Sequence, residues 1–470
     1  MMARRQRHVV RGFVFATLCL ALAGCINAGP DYAAPPMIVP QAFDNAVEGS
    51  MTSTPPTGAL WQSFNDPVLD ALIQRALDSN TDIAATLARM DESIALRGLT
   101  VYSLFPTVTA ESSADRNSVS DQDPFAFGGL GDVDIYRLGF DATWEIDLFG
   151  SLRRQAEQIR RIVEADVATL HDVQRSVVGE VAQSYFALRG AQARLDVQRA
   201  NQQNQLRSVG ILQKTLDAGR GTALDVARAR SLERSLAAAI PATEADVARA
   251  IQRLAVLTAQ PTADLKAALG PGTLPAIPDT LAVGTPEQWL RRRPDVRAAE
   301  RRLAAATSGI GVEAAEYWPK LTLNGSFGYN GTGVSAFGDS DARRWSFGPA
   351  LSWRFLDVGR VRRQVMAAQA RERQALANFR GALLRALEDM ESSLAGYRAA
   401  NQVAAAIDEA LIHSAKAKDL AQLRFDNGAS NFLEVLDAER TRLELADQRA
   451  QALTAQATAL AAVYKALAIN

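Results

Sequence analysis

An internal duplication constrains this chain more than any other feature of its sequence. The stretch NGASNFLEVLDAER at 427–440 repeats an earlier stretch, AGRGTALDVARAR at 218–230, at a spacing of 209 residues. Other landmarks recur at the same spacing: Trp144 and Trp353, Gly150 and Gly359, Arg153 and Arg362, Gln155 and Gln364. A repeat of about 210 residues is too long for a solenoid unit. The sequence therefore predicts two related halves, each of which is a large piece of the fold.

Each half contains a long stretch rich in Ala, Leu, Arg, Gln and Glu, which are good helix formers. The stretches run from Gly150 to Gly219 and from Gly359 to Gly428. As helices they would each span about 100 Å. A glycine after the last helical residue is typical of a helix end. Because a second helical pattern begins within a few residues, we predict two antiparallel helical hairpins.

Proline interrupts one of the two returning helical patterns. Pro241 lies in the return helix of the first hairpin, and Ala450 takes the corresponding position in the second. Proline lacks the backbone N–H and its ring clashes with the preceding turn of a helix. We therefore expect a kink or a break at Pro241.

Segments that alternate between apolar and polar residues lie between the helical stretches. The apolar members of the two clearest segments are Tyr136, Leu138, Phe140, Ala142, Trp144 and Ile146, then Trp345, Phe347, Leu351, Trp353 and Phe355. A weaker alternation precedes each of them, at 107–115 and 321–330. Such segments are typical of strands with lipid on one face and water on the other. Half-buried strands of a soluble sandwich alternate equally well, so the pattern alone leaves both structures open.

The N-terminus carries the signature of an exported and lipidated protein. Basic residues precede an apolar run at 13–22, which is well short of the ~20 residues needed to span a bilayer. The run LAGC at 22–25 resembles a bacterial lipobox, which predicts cleavage after residue 24 and lipidation of Cys25. Ile26 follows the cysteine, and in lipoprotein sorting a residue other than aspartate there favours the outer membrane. Cys19 would be removed, so no disulfide is available.

Composition and motifs argue against several other functions. The chain has 51 basic and 52 acidic residues, which does not indicate a nucleic-acid binder. The three histidines, His8, His171 and His413, show no metal-ligand spacing, and no GxxxxGK phosphate loop occurs. The Gly-rich stretch at 125–132 is best explained as a loop between two strands. We predict no enzyme activity, no metal and no cofactor other than the covalent lipid on Cys25.

Four strands in one chain predict an oligomer. They cannot close a barrel, and the unpaired backbone groups of an open sheet edge have no partners in hydrocarbon. Several copies must therefore pool their strands. Two copies give eight strands, whose interior is mostly filled by side chains, whereas three give twelve and leave a lumen. For a conduit we therefore predict a homotrimer, with the long helices closing into a tube.

Three motifs together carry a family resemblance that covers essentially all of the mature chain. They are the lipobox followed by GPDY at 29–32, LRRRPDVRAAERRLAAATSGIGVEAAEYWPKL at 290–321, and the twinned helix openings. The chain resembles TolC-like outer-membrane efflux channels, in the lipoprotein branch that serves resistance-nodulation-division type multidrug pumps.

The resemblance implies a mixed, mainly α fold: a homotrimer with a twelve-stranded barrel in the outer membrane, a periplasmic α-helical barrel and an equatorial belt. It also implies a passive exit duct with an iris-like periplasmic gate, which conducts small molecules such as drugs and toxic organics. A periplasmic adaptor protein and an inner-membrane transporter would be its partners.

The resemblance also assigns a gate to the hairpin tips. The family's aperture acids fall on Glu434 and Asp437, which are three residues apart and therefore share one helix face. Threefold symmetry would place six carboxylates around a narrow opening, where they would attract cations and repel anions. Acids in a first helical turn are also favoured by the helix dipole, so without the resemblance they are ordinary surface residues.

Further tip residues follow from the same resemblance. Asp225 matches an aspartate that ties neighbouring tips together, but the usual tyrosine partner is Phe425 here and an arginine position is Ser430. This departure puts the lock in doubt, and Arg228 is one candidate for a substitute tie. The tip positions expected to contact the adaptor are Gly219, Gly221, Gly428 and Ala429.

These inferences predict five segments along the chain. Residues 1–24 are a signal peptide, 25–60 a lipidated extended segment and 261–286 an equatorial linker. The first repeat is 61–260, with a strand pair near 107–147 and a helical hairpin at 150–260. The second repeat is 287–470, with a strand pair near 320–355 and a hairpin at 360–467.

Two other functions stay open at this point. One is an outer-membrane channel for type I protein secretion, which would use the same architecture. The other is a coiled-coil envelope lipoprotein without a pore. It accounts for the long helices and the lipid, but it leaves the four alternating strands unexplained.

Overall fold

The computed structural model describes residues 27–37, 39–46, 51–52, 60–118, 132–278 and 281–467. The signal segment, Cys25 and nearly all of the Gly-rich stretch at 125–132 lie outside this part. The helices in it are α1 Pro67–Ser79, α2 Thr81–Tyr102, α3 Ser151–Asp217, α4 Ala223–Thr258, α5 Thr262–Ala268, α6 Pro286–Arg292, α7 Pro294–Ala315, α8 Val358–Asp426 and α9 Phe432–Leu467. The strands are β1 Met51–Thr52, β2 Thr107–Asn117, β3 Val133–Ile146, β4 Leu281–Ala282, β5 Lys320–Gly331 and β6 Arg343–Ser352. Short 3-10 helices occupy Leu60–Phe64 and Val334–Ala336.

The chain forms two compact units. The first, the sheet unit, takes its described residues from Met1–Pro35, Met90–Asp166 and Ala299–Phe379. The second, the hairpin unit, takes them from Pro36–Arg89, Val167–Ala298 and Arg380–Asn470. Each repeat of the sequence contributes to both units.

The predicted helical hairpins are confirmed, and they repeat closely. Helices α3 and α8 have 67 and 69 residues. Helices α4 and α9 have 36 residues each, and both ends of α9 are those of α4 moved by 209 positions. The spacing found in the sequence is therefore also the spacing of equivalent positions along the helices.

Both hairpin tips turn in the same way. In the first tip the N–H of Gly219 donates to Leu216 O at 2.8 Å, and the N–H of Arg220 to Thr215 O at 3.0 Å. The second tip repeats this pattern: the N–H of Gly428 donates to Phe425 O at 2.9 Å, and that of Ala429 to Arg424 O at 2.8 Å. Both glycines have φ of 72°, the left-handed conformation that ends a helix in this motif.

Helix α4 corrects the expectation of a break at Pro241. The helix continues through the proline from Ala223 to Thr258. Contacts with α3 hold it on both sides of the proline: Gln205 donates to Ala229 O at 3.1 Å, and Arg199 pairs with Glu244 at 2.7 Å. This packing outweighs the local cost of the missing backbone hydrogen bond.

The sheet unit contains a four-stranded antiparallel sheet in the order β2-β3-β5-β6. Its register places apolar side chains on one face: Val108, Ala110, Leu138, Phe140, Ala142, Trp144, Leu321, Leu323, Phe327, Tyr329, Trp345, Phe347 and Leu351. The other face carries mainly polar residues, among them Thr109, Glu111, Arg137, Asp141, Thr143, Glu145, Thr322, Asn324, Ser326, Arg344 and Ser346. The predicted alternation is therefore confirmed in all four strands.

The apolar face of this sheet is exposed in the single chain. Phe140, Trp345 and Phe347 are 58%, 73% and 71% accessible. Within the described residues β2 and β6 pair on one side only, so each leaves one edge of backbone groups unpaired. An exposed aromatic face beside two open edges requires further partners.

Strand β6 is shorter than the alternation predicts, because it ends at Ser352. Trp353 and Phe355 therefore lie beyond the strand, which corrects their assignment to it. The indole N–H of Trp353 donates to Tyr317 O at 3.1 Å. The equivalent residue of the first repeat, Trp144, donates to Leu104 O at 2.9 Å. This repeated hydrogen bond fixes the end of each strand pair to the segment that leads into it.

The segment that follows the lipobox is fixed within the sheet unit. The N–H of Ala28 donates to Phe149 O at 3.1 Å, and Arg154, which is buried, donates to Ala28 O and Asp31 at 3.1 and 2.6 Å. Gly29 has φ of 82°, and a Cβ there would lie 2.5 Å from the Cα of Gly311. The GPDY motif is thus explained by close backbone packing and by the ion pair of the exposed Asp31 with the buried Arg154.

The RPDV motif also has a structural explanation, in the hairpin unit. Arg293 is 1% accessible, and its guanidinium donates to Asp295, Asp389 and the carbonyl of Ala386. Its guanidinium carbon also lies 5.1 Å from the centroid of the Trp289 ring. Burial lowers the pKa of Arg293, but the two carboxylates outweigh burial and raise it overall. The charged side chain therefore joins α6 and α7 to α8.

The two hairpins meet within the chain along α3 and α9, a contact called here the α3–α9 seam. Arg194 of α3 donates to both carboxylate oxygens of Asp447 of α9 at 2.8 Å, and Gln198 donates to the same carboxylate at 2.9 Å. Burial raises the pKa of Asp447, but these donors outweigh burial and hold it below its ordinary value. The seam is therefore partly ionic.

In the described part of the chain, no helix has an apolar stretch long enough to cross a bilayer.

We expect Gly428→Ala to lower the free energy of unfolding by about 1–2 kcal/mol, because alanine is strained at a left-handed φ. The matched control is Gly210→Ala in the exposed interior of α3, where an added Cβ meets nothing within 4 Å. This control should instead raise the free energy of unfolding by about 0.5–1 kcal/mol. Urea denaturation followed by far-UV circular dichroism measures both. Equal effects of the two substitutions would contradict the assignment of the turn.

We expect Asp447→Asn to lower the free energy of unfolding at pH 7 by about 1–3 kcal/mol, because it weakens hydrogen bonds to a charged group. The folded pKa lies below the unfolded value of about 3.9, so this stabilisation is present above that value and is lost as the pH falls through the folded pKa. The difference between wild type and variant should therefore shrink on acidification. Asp426→Asn, an exposed carboxylate bound to Gln422, is the control. A difference that stays constant down to pH 2.5 would contradict this account of the seam.

Candidate functional site

The hairpin tips bring together most of the residues that the sequence analysis selected. After each tip glycine, a polar side chain caps the return helix. Thr222 Oγ1 accepts from the N–H of Asp225 at 3.1 Å, and Asn431 Oδ1 accepts from the N–H of Glu434 at 3.3 Å. Asp225 and Glu434 therefore occupy equivalent positions in the two copies, in the first turn of α4 and α9.

Glu434 and Asp437 lie on one face of α9, as their spacing predicts. Their side chains are 47% and 66% accessible in the single chain. Each faces an arginine of its own hairpin: Arg424 approaches Glu434 at 3.7 Å, and Arg440 pairs with Asp437 at 2.7 Å. The two carboxylates are thus partly compensated. Exposed pairs of this kind stabilise by only about 0–1 kcal/mol, so they can exchange partners easily.

In the earlier copy the position of Asp437 is taken by Arg228. Arg228 and Asp437 line one groove of about 330 Å³ between α4 and α9. Its lining also includes Leu232, Leu433, Leu436 and Arg440. Opposite charges at equivalent positions therefore face the same space, although Arg440 is the residue that pairs with Asp437.

Aromatic packing surrounds Phe425, the position at which the resemblance implies a tyrosine. The ring of Phe425 packs edge-on against Phe432 at 5.5 Å between centroids. Phe432 in turn packs on an apolar cluster of the first hairpin formed around Leu212, Val226 and Ala229. The two tips are therefore joined by buried apolar area within one chain.

The remaining tip residues are less constrained by contacts. Asp225 is half-buried and its carboxylate accepts from Thr222 Oγ1 at 2.5 Å. The hydroxyl of Ser430 is buried and makes no hydrogen bond to the described residues. Gly221 packs beside Leu216, and Ala429 is exposed at the second tip.

Sequence reasoning missed the two arginines that face the acids. The pair of Asp437 with Arg440 has the (i, i+3) spacing of helical neighbours, so the sequence contained that signal. Arg424 approaches Glu434 from the other helix of the hairpin, and only the folded tip brings them together. Phe432 as a bridge between the hairpins likewise depends on tertiary packing.

The described residues contain no group of three or more His, Cys, Asp or Glu side chains arranged to hold a metal ion. His171 and His413 lie within α3 and α8, on different hairpins.

Comparison with known proteins agrees with this architecture. The model of the outer membrane efflux protein family matches residues 72–260 and 285–468. The pyoverdine export outer membrane protein OpmQ of Pseudomonas aeruginosa is 30% identical over 415 residues, which are 87% of this chain and 86% of OpmQ. The toluene efflux pump outer membrane protein TtgI of Pseudomonas putida is 29% identical over 434 residues, covering 90% of each chain.

A solved structure of the outer-membrane channel OprN matches with a TM-score of 0.88 and 36% identity, covering 94% of this chain and 99% of that one. With its mainly helical TolC-like fold and a family match over most of its length, the chain belongs to the outer membrane efflux protein family.

Proposed function

We propose that three copies of this chain form the outer-membrane exit duct of a tripartite efflux pump, and that small molecules cross it passively. The sheet carries this proposal. One of its faces is aromatic and exposed, the other is mainly polar, and β2 and β6 each have one unpaired edge in the described part. Pairing β6 of one copy with β2 of the next satisfies both edges and closes a barrel.

Three copies fit this role better than two. Twelve strands leave a lumen lined by the polar face, whereas eight strands are largely filled by side chains. The polar face carries acids and bases, such as Asp141 and Arg137, rather than an apolar lining. Such a lumen suits a water-filled path without a specific binding pocket.

The other components would supply energy and cargo. An inner-membrane transporter and a periplasmic adaptor protein are the expected partners, and no nucleic acid is involved. The names of two relatives, a pyoverdine export protein and a toluene efflux pump protein, support small molecules as the cargo. A diacylated and N-acylated Cys25 would anchor each copy in the outer membrane.

The periplasmic gate would lie at the hairpin tips. Rings of Glu434 and Asp437 from three copies would repel one another unless cations or arginines compensate them. Arg424 and Arg440 are placed for this compensation. Asp225, Phe425, Ser430 and Arg228 would take part in contacts between neighbouring tips, with apolar packing replacing the tyrosine bond. Docking of an adaptor at Gly219, Gly221, Gly428 and Ala429 would then open a gate held by several weak contacts.

The assembly is tested on the purified, detergent-extracted protein. We expect a particle with the mass of three chains and ion conductance after insertion into a planar bilayer. Light scattering coupled to chromatography measures the first, and single-channel recording measures the second. A stable monomer without conductance would rule out the duct and favour the structural lipoprotein.

The gate is tested by replacing Glu434 and Asp437 with alanine in the same chain. We expect higher single-channel conductance and weaker preference for cations, because the carboxylates narrow and charge the opening. Arg440→Gln alone should strengthen the cation preference, since it removes compensation from Asp437. Glu409→Ala, an exposed acid of α8 that lies 17 residues before the end of the helix at Asp426, is the control and should change neither quantity. Unchanged conductance and selectivity in the double variant would remove these two residues from the gate.

A further inference from the structure

The internal duplication indicates how a second copy of this chain packs against the first. The inference rests on the proposed oligomer and adds the surface and its chemistry. The α3–α9 seam joins the first helix of one hairpin to the return helix of the other. In a ring of equivalent hairpins, the same contact must recur between α8 of one copy and α4 of the next. Each residue of a seam contact has an equivalent 209 residues away in the sequence. The two equivalents of one contact are then expected to meet between neighbouring copies.

Besides the close approach of Gly179 to the Lys465 side chain, in which Gly179 corresponds to Glu388, the α3–α9 seam provides three such contacts. The first is the ionic one, in which Arg194 and Gln198 bind Asp447. The second is a close approach, because a Cβ on Gly190 would lie 2.6 Å from the Cβ of Thr454. The third links Arg175 of α3 to α9, where its guanidinium donates to Lys465 O at 2.7 Å.

The residues equivalent to the ionic contact are apolar on α8 and α4. Val403 and Ile407 of α8 take the positions of Arg194 and Gln198, and Ala238 of α4 takes that of Asp447. Every polar member of the within-chain contact thus has an aliphatic counterpart. All three positions differ together between the two repeats. A charge on only one side of the contact would be buried and unpaired.

The other two contacts change in the same direction. Ala399 and Ala245 replace Gly190 and Thr454, so both settings keep side chains small where the helix backbones approach closely. Leu384 replaces Arg175, and Val256 replaces Lys465. These α8 and α4 positions are thus aliphatic where their α3 and α9 equivalents include two arginines, a lysine and an aspartate, while charged residues such as Glu388 and Arg249 lie between them.

These positions are uncovered in the single chain. Leu384 and Val256 are 68% and 63% accessible, and Val403 is 51% accessible. Ala238, Ala245 and Ala399 are exposed as well. Exposed aliphatic side chains at positions whose equivalents lie in the seam within the chain indicate patches that a partner covers.

We propose that α8 of one copy packs against α4 of the next through these patches, and that the seam between copies is apolar where the seam within a copy is ionic. The occupant is a second copy, because the duplication supplies a matching position on α4 for each of these positions on α8. The unpaired edges of β2 and β6 require the same partner.

The proposal is tested by transplanting the ionic contact to the surface between copies. Val403→Arg and Ala238→Asp should each reduce the trimer fraction of the purified protein, because each buries an unpaired charge. The double variant recreates the pair of Arg194 with Asp447 and should recover the trimer. Ala405→Arg, at an exposed position equivalent to the exposed Asp196, is the matched control and should leave the trimer intact.

A second measurement avoids any ambiguity from misfolding. Cysteines at Ala399 and Ala245 should form disulfides between copies on mild oxidation and give a covalent trimer on a non-reducing denaturing gel. Each single-cysteine variant should give none, because the contact joins two different positions. A trimeric, conducting wild type without this cross-link, or with Val403→Arg fully trimeric, would overturn the seam and leave the exit duct standing. A monomeric wild type would instead overturn the duct itself.

Discussion

The unpaired backbone at the edges of the four-stranded sheet is the constraint on which the rest of this structure depends. Hydrocarbon offers no hydrogen-bond partner to an N–H or a carbonyl, so an open edge is costly there. Strands β2 and β6 each have such an edge in the described part of the chain. The aromatic face between them adds exposed apolar area that water does not favour. One chain is therefore an incomplete structure on two independent physical grounds.

The duplication makes a ring of such chains simple to build. Equivalent glycines end α3 and α8 with the same φ, and equivalent tryptophans bond the carbonyls before each strand pair. The two hairpins of one copy are thus nearly equivalent building units of such a ring. Their differences are concentrated in side chains: the ionic contact of Arg194 with Asp447 has no charged counterpart at Val403 and Ala238. Similar backbones with different side chains allow one contact to stabilise the fold and another to stabilise the assembly.

Much of this fold could be predicted from local patterns in the sequence. The helix ends at Gly219 and Gly428 and the alternation around Phe140 are encoded within a few residues, so periodicity and glycine found them. Features that depend on distant contacts could not be found in this way. Pro241 stays inside α4 because packing against α3 holds the helix on both sides. Trp353 lies beyond the end of β6, although its indole bonds the carbonyl of Tyr317 just as that of Trp144, inside β3, bonds Leu104 O.

The candidate site likewise has features that local sequence patterns predict and features that depend on distant contacts. Glu434 and Asp437 share a face because helical geometry requires it, and that much was visible in the sequence. The approach of Arg424 to Glu434 depends on the folded tip, and so does the position of Phe432 between the hairpins. The balance of charge at the tips is therefore a property of the tertiary structure.

The fixed segment after the lipobox has a consequence for the membrane anchor. Ala28 is bonded to Phe149, and a Cβ on Gly150 would lie 3.1 Å from the Cα of Asn27. Only Ile26 separates Asn27 from Cys25, so an extended chain gives the thiol a reach of roughly 7 Å from that point. The lipid that the sequence predicts on Cys25 would therefore be joined to the end of β3 by a short segment, so that the anchor and the sheet would move together.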